Sequence, residues 1–169
     1  MADAAETLLR IPLFAELDVD EMAQVGARLQ RERFAGGTPI LQQGFASDKM
    51  YLLVEGRVRV LRKMGAGEVV ITELDPTQSF GEMGIIDGEP ASATVAAAGD
   101  VEVFSLRRQD FQELLDSSLH LQAKLWRNLA RELTRRIRST TNQVQDYVAI
   151  NQALCENDTF RQFYKLYGP

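Results

Sequence analysis

The sequence predicts an α+β fold, in which an antiparallel β-roll, a jelly-roll-like barrel, is flanked by N-terminal helices and a long C-terminal helix. Residues 4–30 carry apolar side chains at helical spacing. Residues 31–107 change to short β-rich segments separated by glycines, with turn signals about every eight to twelve residues. Residues 119–150 then return to a helical period without Gly or Pro. This order of patterns favours a small barrel or roll over a parallel sheet.

The first helical stretch is interrupted by proline. Pro12 cannot continue a helix that began upstream, because its ring removes a backbone donor and clashes with the preceding turn. The sequence therefore predicts two short helices separated between Pro12 and Asp18.

The β-roll is expected at about residues 31–107, and three of its segments have strongly β-rich composition. These are residues 50–54, 58–61 and 69–72. A short helix is predicted from Asp110 to Asp116, and either Ser117 or Ser118 is a suitable N-cap for the long helix that follows.

The long helix, at about residues 119–150, is predicted to mediate a homodimer. About thirty residues span ~45 Å at 1.5 Å per residue, which a roll of this size cannot cover. Its distal half carries residues near a 3.5-residue period, the spacing of a coiled-coil seam. They are Thr134, Ile137, Thr141, Val144 and Val148.

The C-terminal segment, residues 151–169, is treated as separate from the domain at residues 1–150. Four aromatic residues recur at i, i+3, i+4 and i+7, which predicts a short amphipathic helix. They are Phe160, Phe163, Tyr164 and Tyr167. Gly168 ends the pattern, and residues 151–156 are expected to join this helix to the long one. We expect the helix to dock on the same chain, on a second subunit or on a partner protein.

Composition restricts the classes of partner. The chain has 169 residues, of which 45% are hydrophobic, and a net charge of −5, which disfavours nucleic acid and anionic lipid as partners. The acidic N-terminus is unlike a targeting signal, and no apolar run approaches the ~20 residues that span a bilayer. Cys155 is the only cysteine, so no disulfide is expected. A cytoplasmic location without membrane contact is therefore expected.

A row of arginines follows one ridge of the long helix and has two interpretations. The row consists of Arg127, Arg131, Arg135 and Arg138. It is either a solvated face with local pairs such as Glu132–Arg136, or a docking surface for an acidic partner protein.

Nothing in the sequence predicts catalysis or a metal site. His120 is the only histidine, so neither a His-based metal site nor a Ser/His triad can be assembled. Asp87 and Glu89 flank Gly88 in what reads as an ordinary turn. No catalytic residues and no enzyme activity are expected.

The stretch from Phe80 to Val95 contains the most specific pattern in the chain. Gly81 and Gly84 allow close approach of the backbone to a ligand, and residues 81–87 are expected to form one helical turn after a strand. Such a helix start directs unpaired N–H donors and a positive dipole end at an anion.

This stretch resembles the phosphate-binding cassette of the cyclic-nucleotide-binding domain family. Three further blocks, residues 9–17, 34–44 and 48–56, also match the family's pattern, and the resemblance covers about residues 8–150. It is closest in kind to a stand-alone bacterial domain similar to the sensor half of catabolite activator proteins. Only nineteen of the 169 residues follow Ile150, so a helix-turn-helix is not expected.

The resemblance implies roles for individual residues and also a departure from the family. Glu82 would bond a ribose hydroxyl, Gly81 would line the sugar, and the backbone N–H groups of Gly84 and Ser92 would face the phosphate. The predicted ligand-contacting set, if a ligand binds, is Gly81, Glu82, Met83, Gly84, Ala91 and Ser92. In the family an arginine follows the cassette proline and binds the cyclic phosphate, whereas this chain has Ala91.

Three interpretations of Ala91 remain open. The cassette binds a cyclic mononucleotide without the arginine, or it persists only as a structural part of the roll, or the pocket accepts a different and neutral ligand. We expect a non-enzymatic regulatory or adaptor protein that acts by protein–protein interaction, with no cofactor, cyclic AMP and cyclic GMP being disfavoured. The alternative function is a ligand sensor.

Overall fold

The computed structural model describes residues 2–65 and 67–156 and confirms the predicted α+β fold. The helices are α1 (Ala2–Leu9), α2 (Val19–Gly26), α3 (Glu82–Asp87), α4 (Arg108–Ser117) and α5 (Leu119–Glu156). The strands are β1 (Gln30–Phe34), β2 (Pro39–Leu41), β3 (Lys49–Glu55), β4 (Val58–Met64), β5 (Gly67–Leu74), β6 (Ser79–Phe80), β7 (Thr94–Ala97) and β8 (Val101–Arg107).

The N-terminal region has the predicted interruption at proline. Pro12 opens a single 3-10 turn, Pro12–Phe14, between α1 and α2. Helix α2 begins with a capping box: the Asp18 carboxylate accepts from the Glu21 N–H, and the Glu21 carboxylate accepts from the Asp18 N–H, both at 2.9 Å. Local sequence thus separates the two helices: Pro12 follows the end of α1, and the capping box begins α2.

The eight strands form two antiparallel four-stranded sheets, in the orders β1-β8-β3-β6 and β2-β7-β4-β5. Their inner faces enclose the apolar core of the roll. Its buried members are Leu41, Tyr51, Leu53, Val58, Leu74, Phe80, Val95, Ala97, Val101 and Val103. Alternation along β3 directs Met50 and Leu52 to the opposite face of the sheet, where they are also fully buried. Helix α1 packs against β3, and α4 packs against β8.

Helix α5 begins at the predicted residue and is longer than predicted. The Ser118 hydroxyl accepts hydrogen bonds from the N–H groups of His120 and Leu121, as expected of its N-cap. Residues 151–156 were expected to be a connection but are helical, because they contain neither Gly nor Pro to stop the helix. The predicted aromatic helix, with Phe160, Phe163, Tyr164 and Tyr167, lies outside the described residues.

The chain divides into two compact units, Met1–Leu129 and Ala130–Pro169. The first unit contains the β-roll and the helices packed on it, up to the first part of α5. Across the ranges that the structure describes, no helix is both long and apolar enough to cross a bilayer.

Candidate functional site

The cassette lies between β6 and β7, and its helix α3 packs against β3. Gly81, which precedes the helix, has a left-handed backbone conformation with φ of 80°. A Cβ atom at this position would lie 2.9 Å from the carbonyl oxygen of Lys49. Glycine is therefore required here both for the turn and for the close approach of β3.

The six residues of α3 place neighbouring side chains in opposite environments. Glu82 is buried, with 4% of its surface exposed, whereas Met83 is 50% exposed. Gly84 is buried, and a Cβ atom on it would lie 3.2 Å from the carbonyl oxygen of Ser47. The Ser92 hydroxyl donates to Met83 Sδ at 3.8 Å. The cassette thus has a buried carboxylate and an exposed thioether at adjacent positions.

Ala91 is fixed by its backbone and packs against the core of the roll. Its N–H donates to the carbonyl of Phe45 at 3.0 Å, and its carbonyl accepts from the N–H of Gly44 at 2.8 Å. Its methyl group is partly buried against the core cluster between the two sheets. Because its side chain is a methyl group, residue 91 contributes neither charge nor hydrogen-bond donors from its side chain.

Arg108 is a cassette-contacting residue that the sequence reasoning missed. It is the first residue of α4, and its guanidinium donates to the carbonyl oxygen of Gly84 within α3. The backbone N–H of Arg108 donates to the carbonyl of Asp48 at 2.6 Å. No local pattern identifies this role, because the acceptor lies 24 positions away and is a backbone atom.

A second polar cluster lies on the first sheet, around Glu102 of β8. Its carboxylate accepts from Arg31 Nε at 2.6 Å and from Arg33 Nε at 2.7 Å. Burial by itself raises the pKa of Glu102, but the two guanidinium groups outweigh it and the pKa is lowered.

In the neighbouring carboxyl group, Glu32 of β1, burial and hydrogen bonding also have opposite effects on the pKa. Burial raises its pKa, while hydrogen bonds from Ser105 and Lys49 have the larger combined effect, so the pKa is lowered. Beside it, burial first and the charges of Glu32 and Asp48 second raise the pKa of Tyr51 to about 12. Tyr51 stacks on Phe80 with a ring-centroid separation of 5.1 Å. The polar cluster therefore lies in the same sheet as β6, the strand that leads into the cassette.

The arginine ridge of α5 is partly engaged in ion pairs. Arg127 lies 2.6 Å from the Glu16 carboxylate, and the predicted local pair between Glu132 and Arg136 is present at 2.6 Å. Arg131, Arg135 and Arg138 are exposed residues. The ion pairs agree with the interpretation of the ridge as a solvated face. The exposed arginines at its distal end leave the interpretation as a docking surface open.

The remaining polar residues form no metal centre among those that the structure describes. No group of three or more His, Cys, Asp and Glu side chains is placed to bind a metal ion in residues 2–65 and 67–156. His120 is exposed at the start of α5.

A family model for the cyclic nucleotide-binding domain matches residues 31–118, more than half of the chain. The chain belongs to the cyclic nucleotide-binding domain family. The match includes the cassette, both sheets and α4.

Individual relatives are regulators and channels. A cyclic nucleotide-gated potassium channel of Mesorhizobium japonicum is 37% identical over 72% of this chain and 32% of the channel. The cyclic AMP receptor protein of Thermus thermophilus is 36% identical over 75% of this chain and 57% of the receptor. The chain thus spans about a third of the length of the channel and somewhat more than half of the length of the receptor.

A solved cyclic nucleotide-binding domain from Methylobacillus flagellatus has the same fold. The two structures superpose with a TM-score of 0.78 over 86% of this chain and 83% of that domain, at 24% sequence identity. At this identity the likeness concerns the fold alone.

Proposed function

We propose that this chain is a non-enzymatic regulatory protein that acts by protein–protein interaction, and that its β-roll binds cyclic mononucleotides poorly. The observation that carries the proposal is Ala91, whose methyl group packs against the core of the roll. The resemblance of the cassette to the family's pattern implies an arginine at this position. The backbone of Ala91 is bonded to Gly44 and Phe45 on both sides, which fixes the direction of the side chain.

The cost of lacking a guanidinium is large. A charge-assisted bidentate contact is about twice as strong as a neutral hydrogen bond. Loss of one partner of a buried charge pair costs about 2–5 kcal/mol, which weakens binding roughly 30-fold to several-thousand-fold. The buried carboxylate of Glu82 in the same cassette supplies no positive charge that could replace the guanidinium.

The cassette nevertheless has an ordered turn and helix, which supports ligand sensing as the second candidate function. Gly81 has the left-handed conformation that starts α3, and Glu82 and Gly84 are buried. The names of the relatives refer to cyclic nucleotides or cyclic AMP. A sensor must bind its ligand with different affinity in two conformations, which an adaptor does not require.

Calorimetric titration with cyclic AMP and cyclic GMP tests the two candidates. We expect no saturable heat from the wild-type chain at low micromolar nucleotide. Ala91→Arg should create or strengthen binding, whereas Ala91→Gln, whose side chain is polar but shorter and uncharged, should not. A tight one-to-one isotherm with the wild-type chain would refute the proposal and support the sensor.

The proposed partner surface is the distal, exposed part of the arginine ridge, and the proposed partner is an acidic protein in the cytoplasm. Capture from a native cell extract should recover a protein with the wild-type chain and lose it with the double variant Arg135→Glu, Arg138→Glu. Recovery that is unaffected by this charge reversal would exclude the ridge as the docking surface. We also propose that the chain is a homodimer through α5.

A further inference from the structure

The carbonyl oxygen of Gly84 accepts two hydrogen bonds at the C-terminal end of the cassette helix. One comes from the N–H of Gly88, at 3.1 Å, and the other from the guanidinium of Arg108. Gly88 ends α3 in a left-handed conformation with φ of 80°. Arg108 Nη1 lies 3.3 Å from the position that a Cβ atom on Gly88 would take, so the guanidinium packs directly on the end of the helix.

The charge of Arg108 matches the polarity of α3. The C-terminal end of a helix carries a partial negative charge, which a cation stabilises. A helix of six residues is too short to be stable by its own hydrogen bonds, so external contacts determine whether it forms and where it lies. Arg108 is such a contact, and it acts at the end of α3 opposite to Gly81 and Glu82.

Arg108 also belongs to α4 through its backbone. It is the first residue of that helix, and its N–H donates to the Asp48 carbonyl at 2.6 Å. Three residues later, Phe111 of α4 contacts Trp126 of α5 edge to face, with ring centroids 6.0 Å apart. A single residue therefore connects the cassette helix to α4, and α4 connects to the sole tryptophan of the chain.

We propose that Arg108 is a positioning residue that fixes the cassette helix against the start of α4, so that α3 and α4 move as one body. Through the Gly84 carbonyl it sets the orientation of the turn that carries Glu82. This role does not depend on which ligand the roll accepts, and it stands or falls separately from the adaptor proposal.

Three single variants of the full chain test the proposal. Arg108→Met keeps most of the aliphatic stem and removes the charge and the donors. Arg108→Lys restores the charge with a single ammonium group. Arg107→Met is the matched control, because Arg107 is the adjacent arginine and its guanidinium is bonded to Asp110 in the first turn of α4.

Hydrogen exchange is measured for the amides of residues 85–88, which can bond within α3, and, as an internal reference, for Leu52 and Val103 in the first sheet. In Arg108→Met we expect these amides to exchange about threefold to tenfold faster, the range that follows from loss of one hydrogen bond made by a side chain that is exposed to solvent. The reference amides should keep their rates, Arg108→Lys should recover most of the protection, and Arg107→Met should match the wild type.

Two spectroscopic readings separate positioning from general packing. The Gly88 amide resonance should shift in Arg108→Met, because Gly88 shares its acceptor with the guanidinium, and the Trp126 emission should change along with it. Neither should change in Arg107→Met. Wild-type exchange in Arg108→Met, or faster exchange of α3 with unchanged Trp126 emission, would overturn the proposal.

Discussion

Lys124 of α5 and Glu21 of α2 form an ion pair of 2.6 Å across 103 positions of sequence. Both side chains are largely buried, at 13% and 9% exposure. One helical turn later, the Asn128 side chain donates to the carbonyls of Leu13 and Ala15 at 3.1 and 2.6 Å. The first part of α5 is thus fastened to the N-terminal segment by polar contacts with little access to water.

Replacement of Lys124 should destabilise the fold through this pair. Lys124→Met leaves the Glu21 carboxylate buried without its cation, and we expect the free energy of unfolding to fall by about 2–4 kcal/mol. Arg127→Met removes a pair with Glu16 in which both side chains are about half exposed, and it should lower the free energy of unfolding by less than about 1 kcal/mol. Urea unfolding at neutral pH measures both, and equal losses would contradict the distinction between the two pairs.

The cassette glycine Gly81 should be far more sensitive to substitution than another glycine with the same backbone conformation. Gly44 has φ of 82° and open space where a Cβ atom would lie. Gly44→Ala should therefore lower the free energy of unfolding only by the backbone strain of a left-handed alanine, about 1–2 kcal/mol. Gly81→Ala adds a Cβ atom 2.9 Å from the Lys49 carbonyl and should cost a further ~1–3 kcal/mol.

Thermal unfolding of the two glycine variants gives the comparison. The Gly81 variant should also expose the α3 amides to faster hydrogen exchange, since the helix begins at this residue. If both variants lose the same stability, the close approach between the cassette and β3 does not exist in solution.

The ion pairs of Glu102 with Arg31 and Arg33 on the first sheet should make the free energy of unfolding depend on pH in the acidic range. The pKa of Glu102 is lowered in the folded chain, so the unfolded chain binds more protons at low pH. The contribution of Glu102 is therefore fully present above its unfolded pKa, near 4.5, and is lost as the pH falls through the lower folded pKa.

Glu102→Gln tests this linkage. At neutral pH the variant should be less stable than the wild type by about 1–2 kcal/mol, because an acceptor for two guanidinium groups loses its charge. Between about pH 6 and pH 3 its stability should decline less steeply than that of the wild type. Denaturant titrations across this range measure the slope, and parallel slopes would show that Glu102 does not titrate with folding.

The sequence predicted the parts of the fold that depend on local pattern. The break at Pro12, an N-cap at Ser117 or Ser118 and the Glu132–Arg136 pair each follow from residues within a few positions of one another, and the structure has Ser118 as the cap. The β-rich segment at residues 58–61 lies inside β4, which extends further because its partner β5 continues to pair with it.

The sequence could not predict contacts set by the tertiary fold. Arg31 and Arg33 lie about seventy positions before Glu102 and meet it only because β1 pairs with β8. The acceptor of Arg108 is a carbonyl, which every residue has, so no residue type identifies it. The cassette was recognisable because its glycines and their spacing are local, whereas the group that fastens its far end is not.

The unit that contains the distal part of α5 should associate with a second copy of the chain. Ile137, Val144 and Val148 are well exposed on this helix, at 66%, 56% and 47%. The Thr134 and Thr141 hydroxyls donate to the carbonyls of Ala130 and Ile137, four residues back, at 2.8 and 2.9 Å. Since these hydroxyls are already bonded, the two threonines interrupt an apolar seam less than their polarity suggests.

Light scattering at tens of micromolar protein should therefore give a dimer mass for the wild-type chain. Val144→Asp places a charge in the seam and should give a monomer, because an unpaired charge is costly to bury. Ser139→Asp is the matched control, since Ser139 is exposed on the same helix and lies about 200° around it from Ile137 and Thr141. A monomer mass for the wild type, or equal dissociation by both aspartates, would mean that α5 does not form the seam.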